Sequence, residues 1–505
     1  MTKSVLSNWF GLIWAGLISF LLTPLMIHRL GVVYYGMWIL AASLLDYYGL
    51  IDMAVRVALF RFISRFKGAG ERESLNSTLS TALCIAGVIG TCFVILVPIV
   101  ALLLPKFFAI HGTDRALFQW VCVLVGFSLA INIPSRVLGS YLCGFQRFDL
   151  YNLSGIITVS VRAASIAVVL LAGYNILAVS VVTLCASFLS LSLNYILLRR
   201  ADPEVSFHWR KAGWSRAKEL LNYGTYAFFN AGGESLRSYT DAVVIARMLS
   251  LALVTPFSIA TRLIEYFRSI MSAITGPMLG VMSETDGRQR NDELRRYFLK
   301  STRYMALLSF FLASLIILDG KALIRLWVGN SFESSYTLVV ILTIGYVVSF
   351  AQYPSQLIAF ATAKHKPLAL MTLGEGSLNL LLSIVWARKY GLVGVALGTT
   401  VPLLLSKILY QPWYALRIAK VSFGEYAKES LARPFVVCGL FWIICQFPLL
   451  FDFGSRFLGL LLAVCVQSVI YGLLAYLIGL GGNEKRMLFQ HGRRLAAAIQ
   501  FARAQ

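Results

Sequence analysis

Fourteen runs of about 20 predominantly apolar residues, each long enough for a helix to cross the roughly 30 Å hydrocarbon core of a bilayer, follow one another along the chain. They fall at approximately 8–28, 34–52, 78–104, 116–134, 151–172, 176–198, 222–247, 253–281, 302–320, 336–358, 367–387, 391–414, 433–450 and 457–480. In lipid each span must satisfy its own backbone hydrogen bonds, so the expected fold is an all-α membrane protein of about 14 transmembrane helices.

Polar positions interrupt this pattern most densely between Tyr223 and Gly280, where Glu234, Arg237, Asp241, Arg247, Arg262, Glu265 and Arg268 stand in apolar sequence. At helical spacing Tyr226, Asn230, Glu234, Arg237 and Asp241 share one face, and Ser258, Arg262, Glu265, Arg268 and Ser272 share another. A charge at the bilayer centre costs about 3 kcal/mol even on lenient insertion scales, so these faces must turn to protein or to a water-filled cavity. Arg237 with Asp241 and Arg262 with Glu265 have the spacing of intrahelical ion pairs, whereas Arg268 has no acidic residue four positions away.

Ser154, Thr158, Arg162 and Ser165 form a polar face in the fifth run, and Thr372, Glu375, Asn379 and Ser383 form one in the eleventh. The two could meet across a central cavity. Lys407, about two turns inside the twelfth run, either joins them or snorkels to the interface. The candidate cationic substrate cavity thus comprises Arg162, Arg237, Arg262, Arg268 and Lys407, and the candidate ion-coupling carboxylates are Glu234, Asp241, Glu265 and Glu375. The arginine fork suits bidentate phosphate contact, which favours an anionic cargo. In the first run Ser7, Gly11, Ala15, Ser19 and Thr23 recur every fourth residue, a stripe for close helix packing or, alternatively, for lining a pathway.

The composition agrees with a polytopic membrane protein: 58% hydrophobic residues, 13% charged and a mean hydropathy of +0.75. A net charge of +22 raises the question of nucleic acid, but about 31 of the 45 Lys and Arg fall in the N-terminus, even-numbered loops and C-terminus. That asymmetry is the positive-inside signal, placing both termini in the cytoplasm and excluding nucleic acid as the partner. The basic segments 56–72, 199–218, 288–303 and 417–433 read as cytoplasmic loops facing anionic lipid. Lys3 precedes an apolar run without a small-residue cleavage site, so the first span is expected to be retained. Eight cysteines without a C-x-x-C pair and five scattered histidines give no reason to expect a metal or cofactor.

An internal repeat organises the chain. Pro134-Ser135-Arg136-Val137-Leu138 recurs as Pro354-Ser355-Gln356-Leu357-Ile358, and Tyr174-Asn175-Ile176-Leu177-Ala178-Val179 as Tyr390-Gly391-Leu392-Val393-Gly394-Val395, both about 220 residues on. An even number of spans lies between the copies, which predicts two pseudo-symmetric six-helix lobes of the same orientation plus two C-terminal helices. The expected division is 1–200 for the N-lobe, 201–221 for a cytoplasmic linker and 222–420 for the C-lobe. Residues 421–482 hold helices 13 and 14, and 483–505 a basic amphipathic tail. Within the linker, 214–222 reads as a short interfacial helix and the natural hinge.

Arg29-Leu30-Gly31, then Gly36-Met37-Trp38, then the acidic and aromatic turn Asp46 to Asp52 leading to Ala58-Leu59 and Arg61, together with 134–152 and 390–398, give the chain a family likeness. It resembles the bacterial polysaccharide and O-antigen flippases (Wzx-type) of the multidrug/oligosaccharidyl-lipid/polysaccharide (MOP) exporter superfamily over nearly its whole length. One position departs: Ala54 stands where the family often has the glycine of an Asp-Leu-Gly turn. The resemblance implies a MATE-like fold in the inner membrane and translocation, by alternating access, of an undecaprenyl-pyrophosphate-linked oligosaccharide for polysaccharide or O-antigen biosynthesis. It also implies coupling to a proton or sodium gradient and leaves partners in polysaccharide assembly open. A cation or drug antiporter of the same superfamily would instead predict an acidic cavity. A membrane polymerase or ligase would predict large outward loops carrying reactive groups. The longest odd-numbered loop here, 321–335, spans about 15 residues and carries no such constellation, which favours a non-enzyme.

Overall fold

The computed structural model describes residues 2–46, 49–446, 457–482 and 484–486. Apart from 484–486, the amphipathic tail expected at 483–505 lies outside the described residues, as do the side chains of Ser7, Tyr226 and Asn230. The helices are α1 (Thr2–Leu30), α2 (Val32–Asp46), α3 (Gly49–Ala69), α4 (Arg72–Phe107), α5 (Thr113–Gly144), α6 (Phe148–Leu171), α7 (Ile176–Ala201), α8 (Trp214–Met248) and α9 (Val254–Gly287). They continue as α10 (Asn291–Val328), α11 (Ser335–Ala351), α12 (Tyr353–Ala361), α13 (Lys366–Leu405), α14 (Gln411–Ala419), α15 (Phe423–Tyr426), α16 (Ala432–Cys445) and α17 (Phe457–Leu474). Among the described residues nine helical segments are long and apolar enough to cross a membrane, and the other apolar runs lie on shorter or more polar helices. The protein is a multi-pass, all-α membrane protein.

Two segments differ from the sequence reading in an instructive way. The basic stretch after residue 55 is helix, not loop: Val55, Ala58, Leu59, Ile63 and Phe66 are buried at helical spacing, while Arg61 and Arg65 are exposed and Arg56 is half-buried. The expected separate helix at 214–222 is the first two turns of α8, which runs unbroken through the seventh apolar stretch because no proline interrupts it. The rest of the linker is pinned to α4. Asn76 Oδ1 accepts from the Ser206 N–H at 3.0 Å, Thr81 Oγ1 from the Gly213 N–H at 3.2 Å, and Asp202 receives Arg72 Nη1 at 2.8 Å and the Tyr141 hydroxyl at 2.6 Å.

The chain packs as two compact units, one of residues 1–262 and 366–402 and the other of 263–365 and 403–505. The six-helix lobes read from the repeat divide the chain differently, at 201–221, and stand as a proposal drawn from that repeat. In the first unit an apolar cluster of α3, α4, α5 and α7 is centred on Leu59, Leu79, Tyr141 and Leu142. In the second unit Met282, Phe298, Ile358 and Tyr426 form one cluster, and Val437, Phe441 and Tyr471 form another.

Beyond the last turn of α10, Glu333 receives Arg325 Nε at 2.6 Å and lies 2.7 Å from Lys321 Nζ. The hydrogen bond from Arg325, reinforced by that from Lys321, lowers the Glu333 carboxyl from 4.5 to about 2. A folded-state value below the unfolded one contributes stability that is complete above about pH 4.5 and is lost as pH falls through 2. Hydrogen-exchange protection factors in the 329–334 turn, taken against the intrinsic rate at each pH, should therefore fall progressively below pH 4.5. In Glu333→Gln the same turn should exchange at a pH-independent level of protection.

Candidate functional site

The first unit owes its site to α13. Gly391 takes φ 59° and ψ −137°, open to glycine and closed to other residues, and so splits α13 into an outgoing and a returning half. The returning half packs backbone to backbone. A Cβ at Gly394 would come within 2.1 Å of the Trp386 carbonyl oxygen, and one at Gly398 within 2.4 Å of Ser383 Oγ and 2.7 Å of its backbone nitrogen. The glycines of the 390–398 signature are thus one turn and two close approaches. Gly398→Ala is expected to destabilise the protein by about 1–3 kcal/mol through overpacking, read as a lower thermal midpoint. Gly374→Ala, where no atom lies within 4 Å, should leave it unchanged.

The outgoing half crosses α8 just as closely, with a Cβ at Gly233 falling 2.6 Å from the Thr372 carbonyl and one at Gly376 2.8 Å from the Gly233 carbonyl oxygen. Small residues are what permit such a crossing in lipid. One turn further along α8, Arg237 is 5% exposed, donates to Glu234 Oε2 at 2.8 Å, and makes a second ion pair with Glu375 of α13. The Glu375 side chain is 1% exposed. Three sequence candidates, one cation and two carboxylates, are therefore committed to one another.

A further turn along α8, the buried Asp241 is held by hydroxyls. Thr399 Oγ1 lies 2.8 Å from Oδ2, and Ser383 Oγ 3.4 Å from Oδ1. Both hydroxyls also approach the Val395 carbonyl, at 3.4 and 3.5 Å, and Asn379 Nδ2 donates to Thr399 Oγ1 at 2.9 Å while its own buried Oδ1 accepts no hydrogen bond. Carboxylate, hydroxyl, amide and carbonyl oxygens converge here, a donor set for a hard monovalent cation or for a proton. The Thr372–Ser383 face is thus turned inward against α8 and the returning half, instead of across a central cavity. Glu234, at the edge of this network, has a side chain 40% exposed.

Arg162 occupies different ground. With Arg262 and Arg136 it lines a cavity of about 350 Å³ that also touches α1 and α2. Arg162 is exposed to this cavity although protein surrounds it closely. Its neighbour Arg262 faces the buried Tyr35 hydroxyl, together with Thr23 and Ser258. A second cavity of about 280 Å³ adjoins, sharing Ala15, Asn132, Arg136 and Val159. Among the described residues lining the two cavities, three are arginines and none is acidic. The small-residue stripe of α1 lines both: Gly11 and Ala15 the second, Ala15, Ser19 and Thr23 the first. The stripe also packs against α6, where a Cβ added at Gly11 would lie 3.8 Å from Asn152.

In the second unit Arg268 donates to the Tyr346 hydroxyl at 3.2 Å and lies 5.5 Å from the centre of its ring. Glu265 is exposed, and Lys407 is 6% exposed on a π-helical turn at 406–410. Sequence reasoning missed Arg136, which sits in the repeat 134–138. The signal was the exchange within that repeat, Arg136 in the first copy against Gln356 in the second.

The sequence profile of a family described as polysaccharide biosynthesis protein matches residues 46–337. An uncharacterized membrane protein, EpsK, of Bacillus subtilis (strain 168) is 23% identical over 497 residues, covering 95% of this chain and 96% of that protein. A putative O-antigen transporter of Shigella flexneri is 22% identical over 423 residues, covering 83% and 98%. Among solved structures, the inward closed conformation of the lipid II flippase MurJ superposes with a TM-score of 0.72 at 13% identity, covering 94% of this chain and 98% of that one. An inward-facing MATE family multidrug transporter of the MOP superfamily gives 0.66 at 15% identity, covering 83% and 95%. The fold is that of these transporters.

Proposed function

Since the chain belongs to the polysaccharide biosynthesis protein family, we propose that it flips an undecaprenyl-pyrophosphate-linked oligosaccharide across the inner membrane, with both termini in the cytoplasm. Its family, its relatives and its fold support a flippase-type transporter of the MOP superfamily; the cargo, the coupling and the orientation are our reading. The observation that carries it is the arginine cavity. Arg162, Arg262 and Arg136 line this space, with no carboxylate among its described lining residues, and in low dielectric such forks hold a pyrophosphate far more strongly than water would allow. A lipophilic cation would be repelled from the same space. Alternating access would carry the pyrophosphate and glycan through the polar interior while the prenyl chain stays in lipid.

Asp241 is the coupling carboxylate in this account. Glu375 is already neutralised by Arg237, and Glu234 and Glu265 are more exposed, whereas the hydroxyl and carbonyl oxygens around Asp241 suit a proton or sodium ion taken up and released as access changes. Arg237 then supports the site through its ion pairs with Glu234 and Glu375.

The test is reconstitution. Proteoliposomes carrying a polyprenyl-pyrophosphoryl oligosaccharide should expose it to an outside glycosidase at a rate that rises with protein and with an imposed sodium or proton gradient. Export of a lipophilic cation with no movement of the glycolipid would return the protein to the antiporter alternative.

A further inference from the structure

The helix α14 ends on an unusual residue. Lys420 caps it with φ 53° and ψ 45°, and the Val421 N–H returns to the Leu416 carbonyl at 3.1 Å. A left-handed cap of this kind is ordinarily glycine, or asparagine, because a Cβ is disfavoured there. Here a lysine bears that strain, and its exposed side chain stands on the rim of a groove of about 400 Å³. The floor of the groove is apolar, with Ile408, Leu409 and Val421, and its aromatic sides are Trp413 and Phe423. Its charged lining residues are Arg417 and Lys420, both cations. Arg417 is set over the Trp413 ring, 4.0 Å from the ring centre, which fixes the guanidinium beside the apolar floor. The next acidic residue along the chain, Glu425, is taken by Arg295, whose Nε donates to Oε1 at 3.2 Å.

We propose that this groove binds an anionic phospholipid, with its phosphate between Arg417 and Lys420 and one acyl chain between Trp413 and Phe423. The site shares no residue with the arginine cavity and does not depend on what the protein carries. Charge and apolar surface together select the occupant. A soluble anion would meet the two cations but leave the floor uncovered, with Ile408 51%, Leu409 63% and Phe423 69% exposed. A zwitterionic lipid would cover the floor but set its own ammonium beside two cations. An anionic lipid meets both demands, and Trp413 and the cation on its ring suit the depth at which acyl chain gives way to headgroup. Under the orientation proposed above, the lipid comes from the cytoplasmic leaflet.

The experiment titrates the delipidated full chain with two probes of identical acyl chains, dioleoyl phosphatidylglycerol and dioleoyl phosphatidylcholine, and reads the first bound lipid by native mass spectrometry. Two cations at a lipid headgroup predict roughly thirtyfold tighter binding of phosphatidylglycerol. Lys420→Gly and, separately, Arg417→Gln should each cut that ratio about fivefold. Lys428→Gln, which removes an exposed cation of the same basic segment from outside the groove, should leave it unchanged. Glycine also relieves the left-handed cap, so the thermal midpoint of Lys420→Gly should equal or exceed that of the wild type. Loss of lipid preference without loss of stability is an outcome that a purely structural lysine would not give. A wild-type ratio near one would overturn the proposal, as would groove variants that keep the full ratio. An equal fall in Lys428→Gln would mean diffuse attraction to the basic segment and would overturn it too. Displacement of bound phosphatidylglycerol by inorganic phosphate, or by an equimolar polyprenyl pyrophosphate, would reassign the groove to a free anion or to the cargo, against the proposal.

Discussion

Glu375→Ala is expected to leave little folded protein in the membrane. Glu375 and Arg237 are both almost fully buried and form an ion pair across the α8–α13 crossing, and removing Glu375 leaves the buried Arg237 without its buried counter-charge, with the more exposed Glu234 still beside it. The usual cost of breaking such a pair is about 3–5 kcal/mol, a large share of the roughly 5–15 kcal/mol that holds a native protein together. Arg237→Ala should be as damaging. Removing both charges together, as in Arg237→Met with Glu375→Leu, should recover much of the loss, because an apolar pair of similar volume leaves no fully buried charge unpaired, and Glu234 is 40% exposed. Protein recovered in a monodisperse peak after detergent extraction, with its thermal midpoint, is the measurement. A stable, active Glu375→Ala protein would mean that the pair is dispensable.

Asp241→Asn should behave in the opposite way. The amide keeps the size and most of the hydrogen bonds of the carboxylate, so the protein should accumulate normally. What it removes is the charge that takes up the coupling ion. Transport driven by a sodium or proton gradient should fall by about 5- to 150-fold, the range of a coupling free energy of 1–3 kcal/mol, whereas exchange without a gradient should persist. Comparing driven with undriven transport in the same proteoliposomes separates the two. Equal losses of both would place Asp241 in the framework of the site and not in its coupling.

Much of this organisation can be read from the residues. The apolar runs locate the helices because a lipid-spanning backbone has no other way to satisfy its hydrogen bonds, and helical spacing picks out Arg162, Arg237, Asp241 and Glu375 as embedded charges. Their partners cannot be read in the same way. Arg237 stands 138 residues from Glu375 and Asp241 158 from Thr399, and intrahelical spacing points to Asp241 as the partner of Arg237 when tertiary packing adds Glu375. The role of 390–398 emerges only from backbone geometry, since Gly391, Gly394 and Gly398 look alike in sequence but one turns the chain and two let it return against Trp386 and Ser383. Charge clustering at 56–72 concealed a helix, because the positive residues draw attention from the apolar spacing of Val55, Leu59, Ile63 and Phe66 beneath them.

The central claim is that the arginine cavity holds the pyrophosphate of the cargo. It is tested most directly in cells, by measuring on which side of the inner membrane the lipid-linked oligosaccharide accumulates in Arg162→Ala and Arg262→Ala strains, with protein levels checked in parallel. The account predicts loss of surface glycan, with the intermediate trapped on the cytoplasmic side and the variant proteins at normal abundance. Normal surface glycan in both strains would contradict it.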